Sequence, residues 1–181
     1  EPSDGMPMAS SKDLTVDGIE FESCRYISKQ NFNTLVSNGC APIIGDILIA
    51  KDGARCGETC CLHNSEREVV LLSSVAIVRP KSSVLCTFIN TLFARPETIS
   101  ELRENYVSGS AIPRIVLKDF KRFPVIKPTV EALELWAKHT NIMHQRRVSN
   151  IKEIKSLIKL RDTLLPKLIS GELRLPESML D

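Results

Sequence analysis

Two short stretches hold the residue types from which contacts to phosphates or base edges are built. In residues 51–57, Lys51-Asp52-Gly53-Ala54-Arg55-Cys56-Gly57, the glycines let the backbone approach a phosphate or a groove edge closely. Lys51 and Arg55 supply charge or a bidentate guanine contact. The same stretch also fits an ordinary hairpin loop with solvated ends. It is not a nucleotide-binding P-loop, because Gly-x-x-x-x-Gly-Lys-Ser/Thr is absent. In residues 107–114, Ser108, Gly109 and Ser110 offer hydroxyls and backbone N–H groups and Arg114 offers a cation. Such groups position a protein on phosphates without reading sequence, and they equally fit a helix-to-strand connection. Between Ile112 and Pro128, Arg114, Lys118, Lys121, Arg122 and Lys127 face only Asp119, a local excess of four positive charges. A third set, Lys29, Gln30 and Asn31, is able to read adenine or guanine edges, although a capped surface helix explains it as well.

Other chemistries find less support. Six cysteines stand at positions 24, 40, 56, 60, 61 and 86; a chain of this size with a real core does not need disulfides, so free thiols in a cytosolic protein are expected. Cys56, Cys60, Cys61 and His63 would be the metal ligands of a small zinc-binding protein, but adjacent cysteines without a second paired motif do not match the usual zinc frameworks. Strand alternation instead sends Cys60 and Cys61 to opposite faces. His63, His139 and His144 fall into no Ser/His/Asp or Cys/His arrangement, and Asp46 and Asp52 read as turn residues. No run of the ~18 or more apolar residues needed to span a bilayer is present.

The elements that must carry these residues follow from pattern. The 181 residues, 43% hydrophobic and 25% charged, fit one globular domain plus an appended arm. Net charge is only +2, with 15 basic and 15 acidic residues up to Pro128 and 9 and 7 after it, so charge distribution is more informative than its total. Residues 1–17 read as loop and 20–27 as an early strand; Ser28 caps a helix to about Val36. Strands at 47–50 and 59–62 form a hairpin. Apolar, β-branched runs at 69–72 and 75–78 read as the sheet's centre. Helices at 87–94 and 97–105 are broken at Pro96. The expected fold is α+β (α/β-like), a mixed sheet with helices on one side, followed by a long coiled-coil helix.

That helix begins after Thr129 as N-cap, with Glu131 and Glu134 near its positive end. In steps of three and four, Val130, Leu133, Ala137, Thr140, His144, Arg147, Ile151, Ile154, Ile158, Arg161, Leu165 and Leu168 form one stripe, of which eight are apolar. A helix to about Leu165 is ~54 Å long at ~1.5 Å per residue, and its apolar stripe calls for a partner helix. Were two copies antiparallel, Ile154 would lie near the two-fold axis. Pro166 is expected to kink or end the helix, leaving the last leucines as a short hook.

The run Leu165-Pro166-Lys167-Leu168-Ile169-Ser170-Gly171-Glu172-Leu173 closes a long helix that follows Phe123-Pro124 and Pro128. In this it resembles the specificity subunit of type I restriction–modification enzymes. Tyr26-Ile27-Ser28, the run from Gly45 to Gly53 and the run from Ser108 to Ile115 are similar to family landmarks, in the family's order. Family members usually hold two target-recognition domains, each followed by a long helix, the helices pairing antiparallel. The resemblance therefore implies half of such a subunit: a DNA target-recognition domain at 1–128, a spacer and dimerisation helix at 129–173, and a tail at 174–181. It implies a non-enzymatic, cytoplasmic protein that binds double-stranded DNA, part of a bipartite target. Its implied partners are methyltransferase subunits carrying S-adenosylmethionine, a restriction subunit using ATP and Mg²⁺, and a second half-subunit or a second copy of itself. No Asn-Pro-Pro-Tyr type methyltransferase motif is present, so no cofactor is expected in this chain. The family's opening with a Trp and a Gly-rich turn does not precede Glu1, so a further N-terminal piece is expected. The rival readings are a coiled-coil adaptor binding protein rather than DNA and the zinc protein above.

Overall fold

The run Ile47-Leu48-Ile49-Ala50 has no polar alternation, the pattern of a strand covered on both faces. The computed structural model describes residues 5–109 and 111–173. Its elements in chain order are β1 (Met6–Ala9), β2 (Leu14–Thr15), β3 (Gly18–Ile19), β4 (Arg25–Ile27), α1 (Lys29–Ser37), β5 (Ile47–Ala50), β6 (Cys60–Leu62), β7 (Val70–Leu71) and β8 (Val75–Val78). There follow α2 (Ser83–Ala94), α3 (Pro96–Asn105), β9 (Val107–Ser108), β10 (Arg114–Ile115), α4 (Leu117–Phe120) and α5 (Val130–Ile169).

β5 is the middle strand of an antiparallel sheet ordered β6-β5-β8. Leu48 and Ala50 enter one core with Ala9, Leu14, Cys61 and Leu71. Ile47 and Ile49 enter another with Cys60, Phe93, Leu102 and Ile115. Cys60 and Cys61 thus part to opposite faces, as alternation requires, and all six cysteines are free. The first core is completed by a mixed sheet, β4-β1-β7, in which β1 runs antiparallel to β4 and parallel to β7. The second is covered by α2 and α3, so the architecture is α+β with small sheets and a long C-terminal helix.

Local chemistry sets the helix ends. The Ser28 hydroxyl accepts the Asn31 N–H at 3.3 Å, and α1 buries Phe32. Pro96 occupies the first turn of α3, where its missing N–H has no helical partner to lose. Thr129 caps α5, its hydroxyl accepting the Ala132 N–H at 3.3 Å.

Four expectations are corrected. Residues 1–17 are not all loop, since Met6–Ala9 and Leu14–Thr15 are strands and Ala9 and Leu14 are fully buried. The extended run 20–27 is a strand only at Arg25–Ile27. β7 and β8 are edge strands, the centres being β1 and β5. Pro166 does not end α5, which continues to Ile169, so Leu165 and Leu168 are helical residues. The cost there is one backbone bond to Asp162, an exposed position two turns from the helix end. The chain turns at Gly171, φ +75°, where the Leu173 N–H donates to the Lys167 carbonyl at 3.0 Å.

Two compact units divide the chain, Glu1–Thr140 and Asn141–Asp181. The first includes the start of α5 because Leu133 and Ala137 are buried and Trp136 meets Phe88 edge-on, ring centroids 6.2 Å apart. The Thr140 hydroxyl lies 3.4 Å from that of Thr87. In the second unit Ile154, Ile158 and Leu165 stand 55%, 44% and 49% exposed, while Ile151 and Leu168 are half-buried. Among the described residues no helix is long and apolar enough to cross a membrane. The tail at 174–181 lies outside the described residues.

Candidate nucleic-acid interface

The loop after β5 is shaped by backbone hydrogen bonds. The N–H groups of Lys51 and Asp52 both donate to the Ser74 carbonyl, at 2.8 and 3.3 Å. Gly53 takes φ +93°, which lets the chain reverse, and its N–H donates to the Pro113 carbonyl at 2.9 Å. The Lys51 carbonyl accepts the Ile115 N–H at 2.8 Å and the Cys56 thiol at 2.7 Å. Burial raises the Cys56 pKa, so this thiol is structural rather than reactive.

These bonds join the two stretches singled out in the sequence. β10 pairs antiparallel with β9, Arg114 opposite Ser108, and an isolated bridge links Asp52 to Arg114. The short hairpin turns at Gly109, φ +95°, where a side chain would lie 2.6 Å from the Ile112 carbonyl oxygen. Lys51, Asp52, Ser108 and Arg114 therefore converge, and Arg55 lies exposed on the same loop. Ser110 lies outside the described residues.

The junction is a cationic surface with one carboxylate in it. Asp52 Oδ1 accepts from Arg114 Nε at 3.0 Å and lies 3.7 Å from Lys51 Nζ. Immediately downstream, α4 carries Lys118 exposed, followed by exposed Lys121 and Arg122. This basic strip is anchored by aromatic packing of Phe120 and Phe123 on Phe93, with centroids 5.5 and 5.6 Å apart. Lys29, Gln30 and Asn31 form the exposed first turn of α1, which packs on β1 and β7. Among the described residues no hydrogen bond or ion pair joins them to the junction.

Sequence reasoning missed three contributors. Asp52, read as a turn residue, is the carboxylate that the two cations share. Ser74 supplies the carbonyl that fixes the loop base, and its hydroxyl accepts the Ser11 N–H at 3.0 Å, bringing the exposed Lys12 turn alongside. Only the Ser73-Ser74 turn between two apolar strands hinted at this. Asp46, also read as a turn residue, is a buried structural anchor: its carboxylate takes Arg79 Nε at 2.8 Å, Arg79 Nη2 at 2.7 Å and the Ile43 N–H at 2.8 Å.

The cysteine cluster does not assemble. The Cys56 thiol donates to Lys51, the Cys60 thiol to Asn90 at 3.6 Å, and Cys61 faces the other core. Among the described residues no group of three or more His, Cys, Asp or Glu side chains is placed to hold a metal ion.

No protein-family model matches the chain. It is 22% identical over 164 residues, 91% of its length, to the type I restriction enzyme HindI specificity subunit of Haemophilus influenzae. Its relatives are type I specificity subunits. A second, the MjaIX specificity subunit of Methanocaldococcus jannaschii, is 34% identical over 71 residues, 39% of this chain. The chain spans 32% of the length of the first relative, and the match to the second covers 16% of that protein. The likeness to the specificity subunit from Haemophilus influenzae embraces both the strand-rich unit and most or all of the helix, since it leaves only a small part of the chain unmatched.

Proposed function

We propose that this chain is a DNA-recognition half of a type I specificity subunit, reading one part of a bipartite duplex target. The observation that carries the reading is the junction of residues 51–57 with 107–115, where exposed Arg55, Ser108 and Arg114 lie beside the largely sheltered Lys51 on one cationic surface. Charge of this kind positions a protein on the phosphate backbone, and the arginines offer base readout. Lys118 extends the surface along α4, and Lys29, Gln30 and Asn31 form a separate, secondary candidate.

The long helix acts as spacer and assembly element. Its 40 residues span ~60 Å at ~1.5 Å per residue, between one and two turns of B-DNA at ~34 Å per turn. The seam is His144, Arg147, Ile151, Ile154, Ile158 and Leu165, facing a second copy or a second half-subunit. Leu133, Ala137 and Thr140, which begin the same stripe, are engaged within the first unit instead. The chain itself is non-catalytic in this reading. Methyltransferase subunits bring S-adenosylmethionine, and a restriction subunit brings ATP and Mg²⁺.

Selection from a pool of random duplexes, in the presence of a matching methyltransferase subunit, tests the reading. Two short half-sites at fixed spacing are expected. Failure to enrich any sequence, with both proteins folded and associated, would favour a protein-binding adaptor. Lys51→Ala and Arg55→Ala should each weaken binding and flatten its salt dependence by about one unit of slope; wild-type affinity in both would move the contact surface elsewhere.

A further inference from the structure

Of the two cations that share Asp52, Lys51 is sheltered, its side chain 13% accessible, and Arg114 is the one that reaches solvent. Its side chain is 62% accessible, whereas that of Asp52 is only 13% accessible, so a sheltered anchor grips a side chain that ends in solvent. The grip is at Nε, 3.0 Å from Asp52 Oδ1. The backbone beneath both residues is pinned by Gly53 to Pro113 at 2.9 Å, by Ile115 to Lys51 at 2.8 Å and by Asp52 to Ser74 at 3.3 Å. Among the described residues Arg55 has no comparable anchor.

An arginine fixed at Nε presents Nη1 and Nη2 side by side. That two-pronged edge matches O6 and N7 of guanine in the major groove, and holding it beforehand removes part of the ordering that binding otherwise requires. A cation that merely neutralises phosphate needs no such aim. We infer that Asp52 is a positioning residue that aims Arg114 at one guanine of the target, while Arg55 and Lys118 serve phosphates. The inference rests on the DNA-recognition reading and adds to it a division of labour between reading and holding.

The test uses the full chain with its methyltransferase subunit and the duplex enriched by the wild type, measuring relative affinity for all four bases at every position by competitive binding and sequencing. Asp52→Asn keeps the side chain's shape and removes the charge that holds Nε. It is expected to relax preference at one G·C position by roughly ten- to a hundredfold, with the other positions unchanged. Arg114→Lys, which keeps the charge but not the fork, should relax the same position, and the double variant should add little. A merely structural role would move no single column, so a uniform loss across positions overturns the inference, as does an unaltered column in Arg114→Lys. If the wild type enriches nothing, the recognition reading fails and the inference with it; if the wild type enriches a site and Asp52→Asn reads it equally well, only the inference fails.

Discussion

Ile49 and Ile154 are the same residue in opposite surroundings. Ile49, in the middle strand of its sheet, is 1% exposed, while Ile154, in the second half of α5, is 55% exposed. The same contrast runs through their neighbours: Ile47 and Leu48 are fully buried, whereas Ile158 and Leu165 are nearly half exposed. The strand-rich unit closes two cores with its own residues. The second half of the helix instead leaves apolar side chains half exposed along the stripe where the proposed assembly seam lies.

Four substitutions or conditions press on that contrast. Ile49→Ala should lower the unfolding free energy by roughly 2–5 kcal/mol, the range for truncating a buried aliphatic side chain, as read by denaturant titration of the full chain. A cost below about 1 kcal/mol would mean that the core around β5 is not closed as described.

Arg79→Ala comes next. It strips the fully buried Asp46 carboxylate of its two guanidinium bonds and leaves it the Ile43 N–H. The expected loss is roughly 2–3 kcal/mol, less than the ~3–5 of a fully buried pair because Arg79 is half exposed. Thermal melting of Arg79→Ala beside Arg79→Lys separates lost charge from lost fork geometry.

A smaller effect concerns pH. Burial lowers the pKa of His63 below 6.5, against the opposing pull of the Asp46 carboxylate. The unfolded chain then takes up a proton more readily than the folded one. Stability from this group is complete above pH 6.5 and declines as pH falls towards the lower folded value. His63→Gln should flatten the pH dependence of the melting temperature as pH falls below 6.5; an unchanged slope would place the acid sensitivity in another group.

The smallest expected change in unfolding is at Ile154. Ile154→Ala should alter the stability of the strand-rich unit by no more than ~0.5 kcal/mol, as for an exposed position. Ile154→Asp should nevertheless abolish self-association by placing an unpaired charge in the seam. Light scattering checks the second statement: an unchanged assembly mass would put the seam on another helix face.

The legible parts of the fold were those in which local chemistry and tertiary context agree. The β5–β6 hairpin, the Ser28 cap, the break at Pro96 and the start of α5 at Thr129 all have this property. β1 was not legible, because Met6-Pro7-Met8-Ala9 places a residue without an N–H in a central strand, against the usual preference. The parallel ladder with β7 spans only Met8 and Ala9, so Pro7 has no paired neighbour on that side. Leu133 and Ala137 fitted the periodicity of the seam, yet periodicity names a face and not what covers it. Trp136, on the flank of that face, finds Phe88 in the strand-rich unit.

For the candidate interface, the sequence marked both cationic stretches but not their meeting, which depends on backbone bonds across sixty positions of chain, as between Gly53 and Pro113. Asp52 looked like turn chemistry because a carboxylate beside glycine usually is. Its partner, Arg114, is brought to it only by the fold.

Photocross-linking of the wild-type chain to a halogen-substituted duplex pool, with the cross-linked peptides located by mass spectrometry, tests most directly whether DNA meets this junction. The account predicts cross-links in residues 51–57 and 107–118, lost at high salt. Cross-links confined to α1 or to α5 would contradict it.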